Sequence, residues 1–138
     1  MNAPEFLDSN VLVYAYDEID PRKQAIAQEL VARALAGEAV ASSQVLAEFA
    51  VTLLHKLSPP ASSEVVLSIL DALSPIKLIS VDADTVRRAV EAGAMYGVHF
   101  YDGMILAAAE RGGCKRILSE DLNPGQEYFG IKVHNPFK

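Results

Sequence analysis

Short apolar runs alternate with stretches of helical periodicity along the whole chain, and that alternation restricts the fold more than any other feature. The runs are Glu5 to Asp8, Ala39 to Ala41, Lys77 to Val81, Lys115 to Ser119 and Ile131 to Val133. Strands separated by helices imply crossover connections, hence a parallel sheet with helices packed over it. The expected fold class is therefore α/β: one domain over residues 1–138, with a mainly parallel sheet of about five strands between helices. A chain of 138 residues buries a real core without staples. Its hydrophobic content of 51% excludes a disordered class.

Local signals set the helix limits. Asp20-Pro21 reads as a cap followed by proline in the first turn, opening a helix to about Ala36 with Gly37 as its stop. Gln44 to Leu57 is apolar at helical spacing and ends at Ser58-Pro59-Pro60. Ala61 to Leu73 carries a wider apolar face than one core needs, which fits deep burial or a partner. Asp82 caps a helix through Tyr96, and Tyr101-Asp102-Gly103 opens one ending at Gly112-Gly113. No apolar run reaches the roughly 18 residues of a membrane span. No basic residue precedes Arg22, so a secretory n-region is not expected. Cys114 is the single cysteine and reads as a small buried side chain. The expected compartment is the cytoplasm.

Four acids stand in similar settings. Asp8 ends the first strand in Phe6-Leu7-Asp8-Ser9-Asn10, where ligands of open parallel sheets bind, with Ser9 or Asn10 available as a helix cap. Asp121 follows the fourth strand through Ser119-Glu120. Glu48 lies in the apolar run Val45-Leu46-Ala47-Glu48-Phe49, and a capping box from Ser43 does not explain it. Asp102 precedes Gly103 and a long apolar run, where an N-cap role is the plain alternative. Taken singly, each acid also reads as a turn, a cap or an exposed helix edge. Four carboxylates that converged would raise one another's pKa values, and a divalent cation removes that conflict. Oxygen-only donors suit Mg²⁺ or Mn²⁺, not structural zinc. Such an ion polarises a phosphodiester and activates water, so convergence would point to phosphate-ester hydrolysis.

Other readings carry less. The net charge of −6 weighs against a simple nucleic-acid binder. The basic pairs Arg22-Lys23, Arg87-Arg88 and Lys115-Arg116 read as solvated faces. A haloacid-dehalogenase-like phosphatase needs a second Asp two residues after the first, and that position is Asn10. His55, His99 and His134 have no ligand spacing. Tyr14, Tyr16 and Phe100 fit core or rim packing better than base stacking.

FLDSNVLVYA resembles the opening motif of PIN domains, QVLAEF the second acidic motif, HFYDGMILAAAE the third and RILSEDLNPGQ the fourth. Their order and spacing match over nearly the whole chain. The short length and the SEDLNPGQ form resemble the VapC-type toxins of toxin–antitoxin pairs. The resemblance implies a Mg²⁺- or Mn²⁺-dependent endoribonuclease. It implies Asp8 and Asp102 as direct metal ligands, with Glu48 and Asp121 completing the site. Asn10 and Ser119 would be supporting polar residues. It also implies a homodimer acting on RNA, and a VapB-type antitoxin over the site, meeting Gln44 to Leu57 and Ala61 to Leu73. A PIN-like module that binds RNA or protein without cutting is the alternative. Gly103 stands where the family often has Ala, a mild departure, and the charge of −6 is low for an RNA cleaver.

Overall fold

The computed structural model describes residues 3–138. Six strands form one sheet: β1 (Glu5–Leu7), β2 (Ala39–Ser42), β3 (Lys77–Ile79), β4 (Arg116–Leu118), β5 (Glu127–Tyr128) and β6 (Ile131–His134). Their order is β3-β2-β1-β4-β6-β5. Every pairing is parallel except β5 with β6. The α-helices are α1 (Ser9–Tyr16), α2 (Pro21–Leu35), α3 (Ser43–Val51), α4 (Ser63–Ala72), α5 (Ala83–Tyr96) and α6 (Phe100–Arg111). The sheet lies between them. Phe6, Leu7, Ile117, Leu118 and Val133 fill its centre and are almost wholly buried.

The strand order decides where a ligand can bind. From β1 the chain moves outward through β2 and β3, then returns to place β4 on the other side of β1. The crevice at the carboxyl ends of β1 and β4 is thus the switch point at which open α/β sheets hold ligands. Leu7 is in register with Leu118, and the Asp8 amide donates to the Leu118 carbonyl at 3.1 Å. The chain segments after both strands leave the sheet at one level.

α6 is buried along Gly103–Ala109 and packs across β2, β3 and β6, with α5 over it. Small side chains allow that approach. A Cβ on Gly103 would stand 2.8 Å from the Ala89 carbonyl oxygen of α5. Gly103 is therefore a packing requirement and not a mild variation on Ala.

The sheet has six strands where the sequence pattern gave about five. Phe129 (φ 53°) and Gly130 (φ 76°) both take positive φ, the geometry of a two-residue hairpin, and return Glu127–Tyr128 antiparallel on Ile131–Lys132. Phenylalanine disfavours that conformation, so the turn lacks the usual Asn-Gly signal. It is held from outside: the Phe129 amide donates to Tyr96 Oη at 2.9 Å, and the Arg88 guanidinium lies 3.7 Å from the Phe129 ring centre.

Three helix starts also differ from the sequence reading. Asp8 itself caps α1, accepting from the Ser9 amide, so neither Ser9 nor Asn10 is the cap. Ser42 caps α3 by accepting from Val45 N, and Ser43 Oγ instead accepts from Val81 N. His99 caps α6, its Nδ1 accepting from Tyr101 N. Asp102 therefore stands inside the first turn, where the helix dipole favours a carboxylate. The helix expected through Leu57 is α3 followed by a π-helical turn, Thr52–Lys56. α4 buries Val66, while Val65 and Leu67 stay 50% and 61% exposed.

Candidate active site

Asp8 is the buried acid of the crevice, 7% exposed. Its Oδ1 accepts from Ser9 N at 2.7 Å and its Oδ2 accepts from Ser119 Oγ at 2.7 Å. Burial pushes its pKa from 3.8 up to about 6; the Ser119 and Ser9 hydrogen bonds oppose the rise, and the charges of Glu48 and Asp121 add to it.

Ser119 is the hub beneath the other acids. Besides donating to Asp8, its Oγ accepts from Asp121 N at 3.1 Å and Leu122 N at 3.3 Å. Asn10 joins the two sides of the crevice. Its Nδ2 donates to Asp121 Oδ2 at 3.1 Å, and its Oδ1 accepts from Glu120 N at 3.2 Å. α1 and the loop after β4 are thus tied together by side chains of the first and fourth motifs.

Glu48 comes from α3 and is half-buried. Burial raises its pKa, the Gln44 hydrogen bond opposes the rise, and Asp102 and Asp121 add to it while Lys56 opposes it. Asp102 comes from α6 and is the most open of the set with Asp121. Loss of surrounding water raises its pKa, His99 opposes and Asp121 adds. Asp8 thus feels Glu48 and Asp121, and Asp102 feels Asp121 and acts on Glu48, so that Glu48 and Asp121 connect the buried acid to the open one. Gln44 links two of their helices: its Nε2 donates to the Tyr101 carbonyl at 3.1 Å and to Glu48 Oε2 at 3.4 Å.

Glu120, beside Asp121, is set apart. Tyr14 Oη donates to its Oε1 at 2.5 Å, and Lys23 Nζ lies 2.5 Å from its Oε2. Partial burial works to raise its pKa, but the Lys23 and Tyr14 hydrogen bonds outweigh that and lower it. Glu120 is a neutralised carboxylate, so Asp121 is the acid of this loop that faces the cleft uncompensated by a cation.

A cleft of about 580 Å³ opens between α1, α3 with its π turn, and the loop after β4. Asn10, Glu48 and Asp121 lie on its wall; Asp8 and Asp102 do not. Among the described residues no three His, Cys, Asp or Glu side chains form a closed metal-holding cluster. The donor set nevertheless fits a hard dication. It is all oxygen, one carboxylate is deeply buried, and Mg²⁺ commonly takes one or two carboxylates and keeps several waters.

The PIN domain family model matches residues 6–125, a span that holds Asp8, Asn10, Glu48, Asp102, Ser119 and Asp121. The chain belongs to the PIN domain family. Solved structures share the fold at low identity. A toxin–antitoxin complex from Klebsiella pneumoniae superposes with a TM-score of 0.67 at 18% identity, covering 96% of this chain and 97% of that one. VapC20 of Mycobacterium tuberculosis, described as a sarcin-ricin loop cleaving toxin, gives 0.64 at 18% identity over 85% and 91%. FitAcB of Neisseria gonorrhoeae gives 0.65 at 18% identity over 96% and 98%. No curated protein sequence matches the chain. PIN domains are typically nucleases that use Mg²⁺. No helix among the described residues is long and apolar enough to cross a membrane.

Three features of this PIN domain's crevice escaped the sequence reading. The Tyr14–Glu120–Lys23 network joins residues over 90 positions apart and leaves no local signal. Gln44 stands in the second motif, but its reach to Tyr101 depends on how α3 and α6 pack. Lys56 lies on the cleft wall as the last residue of a π turn that helical periodicity does not reveal.

Removing the hub tests its role. Ser119→Ala takes from Asp8 its largest pKa-lowering contact and leaves the buried Leu122 amide and the part-buried Asp121 amide short of an acceptor. Urea unfolding should show a loss of about 1–3 kcal/mol. The Asp8 pKa should climb further, so the pH at which a divalent ion binds half-maximally should move upward. An unchanged midpoint would show that Ser119 does not tune Asp8.

Proposed function

We propose that this PIN domain is a Mg²⁺- or Mn²⁺-dependent endoribonuclease, the toxin member of a VapBC-type toxin–antitoxin pair. The observation that carries the reading is Asp8: a buried carboxylate at the sheet's switch point, close enough to Glu48 and Asp121 to feel both charges. Asp8 and Asp102 would hold the ion, with Glu48 and Asp121 completing the site. When bound, the ion supplies neutralisation of the phosphodiester charge and an acidified water.

The chain's own residues would do the rest. Ser119 and the Ser9 amide fix both oxygens of Asp8. Asn10 orients Asp121. The raised pKa of Glu48 brings its carboxylate closer to the range in which it can accept a proton from attacking water. Lys23 and Tyr14 hold Glu120 away from competing for the ion.

The same reading includes a homodimer and a VapB-type antitoxin. Val51, Val65 and Leu67 leave apolar surface on α3 and α4, where an antitoxin segment would lie beside the cleft. The Klebsiella neighbour comes from a toxin–antitoxin complex. A FitAB complex and VapBC2 of Rickettsia felis, also similar in fold, were each solved bound to DNA.

The test is incubation of purified cellular RNA with the protein in Mg²⁺ or Mn²⁺, and with chelator. Discrete cleavage that chelator abolishes is expected. RNA binding without cutting in either metal would favour the non-catalytic module instead.

A further inference from the structure

The π turn after α3 gives a function to Lys56. Leu57 N donates to the Thr52 carbonyl five residues back, at 3.1 Å. Thr52 Oγ1 also donates to the Glu48 carbonyl at 2.9 Å, an inserted side-chain contact at the place where the helix widens. Single π turns inside helices are frequent at functional sites. The effect here is rotational. In an unbroken α-helix the eighth residue after Glu48 would stand about 80° round the axis from it. With one residue taken up by the π turn, that angle closes towards about 20°. Lys56 is thereby turned onto the Glu48 side of the helix, and it lies on the wall of the cleft.

The charge on that wall is otherwise one-sided. Asp17, Glu48, Glu120 and Asp121 line it, and Lys56 is its one cation among the described residues. Lys56 forms no ion pair there, in contrast to Lys23, which is committed to Glu120. A lysine at a helix end ordinarily complements the dipole. An unpaired ammonium set into an acidic cleft has a further use, because Glu48 and Asp121 of the proposed site lie on the same wall and a polyanion that reaches them there meets it. Resting on the nuclease reading, we propose that Lys56 forms a phosphate subsite, binding an RNA phosphate that flanks the scissile one. The apolar wall of Val13, Val51 and Leu57 beside it then faces the adjoining nucleoside.

The test is the salt dependence of RNA binding. A fluorescein-labelled single-stranded RNA of mixed sequence is titrated with the Asp8→Asn protein in Mg²⁺, over a series of potassium chloride concentrations. Neutralising one phosphate on a single strand contributes about 0.7 to the slope of log affinity against log salt. Lys56→Gln should flatten the slope by about that amount and weaken binding about five- to tenfold. Lys56→Arg should restore the slope. Lys77→Gln, at the amino end of β3 and thus the far end of the sheet, should leave it unchanged. In the active protein Lys56→Gln should raise KM and leave kcat within about twofold. An unchanged slope with RNA still bound would overturn the subsite alone. Absence of RNA binding together with absence of cleavage by the wild type would overturn the nuclease reading and the subsite with it.

Discussion

Asp8→Asn is expected to abolish RNA cleavage while making the metal-free fold more stable at neutral pH. Burial holds the Asp8 carboxyl at about 6 against an ordinary value of 3.8. Below pH 3.8 the group is protonated in folded and unfolded chains alike, and it costs nothing. As pH rises through this window, the unfolded chain ionises first and folding loses stability. Once the folded carboxyl has also ionised the loss is complete, at about 3 kcal/mol. Asparagine escapes that cost. It also keeps the cap on α1, since Asn serves there as well as Asp. Its amide nitrogen meets Ser119 Oγ, which already accepts from two amides, and that mismatch returns about 1 kcal/mol. The net gain is about 1–2 kcal/mol, or roughly 5 °C in Tm, present at pH 7.5 and absent near pH 4. Cleavage should fall by about a thousandfold or more, several kcal/mol of transition-state stabilisation. A purely structural aspartate would give the opposite stability change, so a lower Tm at pH 7.5 would contradict this account of Asp8.

The second large effect falls on Gly103. Alanine is the better helix former by about 1 kcal/mol, and propensity alone favours Gly103→Ala. Packing decides against it. The new Cβ would meet the Ala89 carbonyl oxygen at 2.8 Å and Ala89 Cα at 3.3 Å. Both are backbone atoms of α5, so no side chain can swing away. The helices must separate, which costs about 1–3 kcal/mol and exceeds the propensity gain. Gly103→Ala should lower stability by about 1–2 kcal/mol and Gly103→Val by about 3 or more, read by urea unfolding. Because Asp102 is the adjacent residue, metal affinity should fall in Gly103→Ala as well. A stabilised Gly103→Ala protein would show that the α5–α6 contact tolerates expansion.

The parts of the fold that were legible have local causes. Asp20-Pro21 opens α2 and Asp82 caps α5, because a capping carboxylate and a proline act on their own helix. Gly97 ends α5 at φ 70°, as a glycine stop should. The alternation of strands and helices gave the parallel sheet for the same reason. Adjacency was not legible: Asp8 and Asp121 approach because β4 returns beside β1, and nothing in either motif encodes that. The β5–β6 hairpin was hidden by a phenylalanine in a turn position that disfavours it, compensated by Tyr96 and Arg88 from α5. The cap of α6 was misplaced because histidine is an unusual cap, and Asp102 offered a more familiar one three residues on. Cys114 is buried, and burial pushes its thiol up to about 11, consistent with an inert side chain.

Calorimetric titration of Mn²⁺ into the metal-free wild type and Asp8→Asn at pH 7.5 tests most directly whether the acids of the crevice form a divalent-cation centre. Saturable binding to the wild type is expected, weakening steeply as pH falls through about 6, the Asp8 value, and lost in Asp8→Asn. Equal Mn²⁺ affinity in the two proteins, or none in either, would contradict a divalent-cation centre built on Asp8.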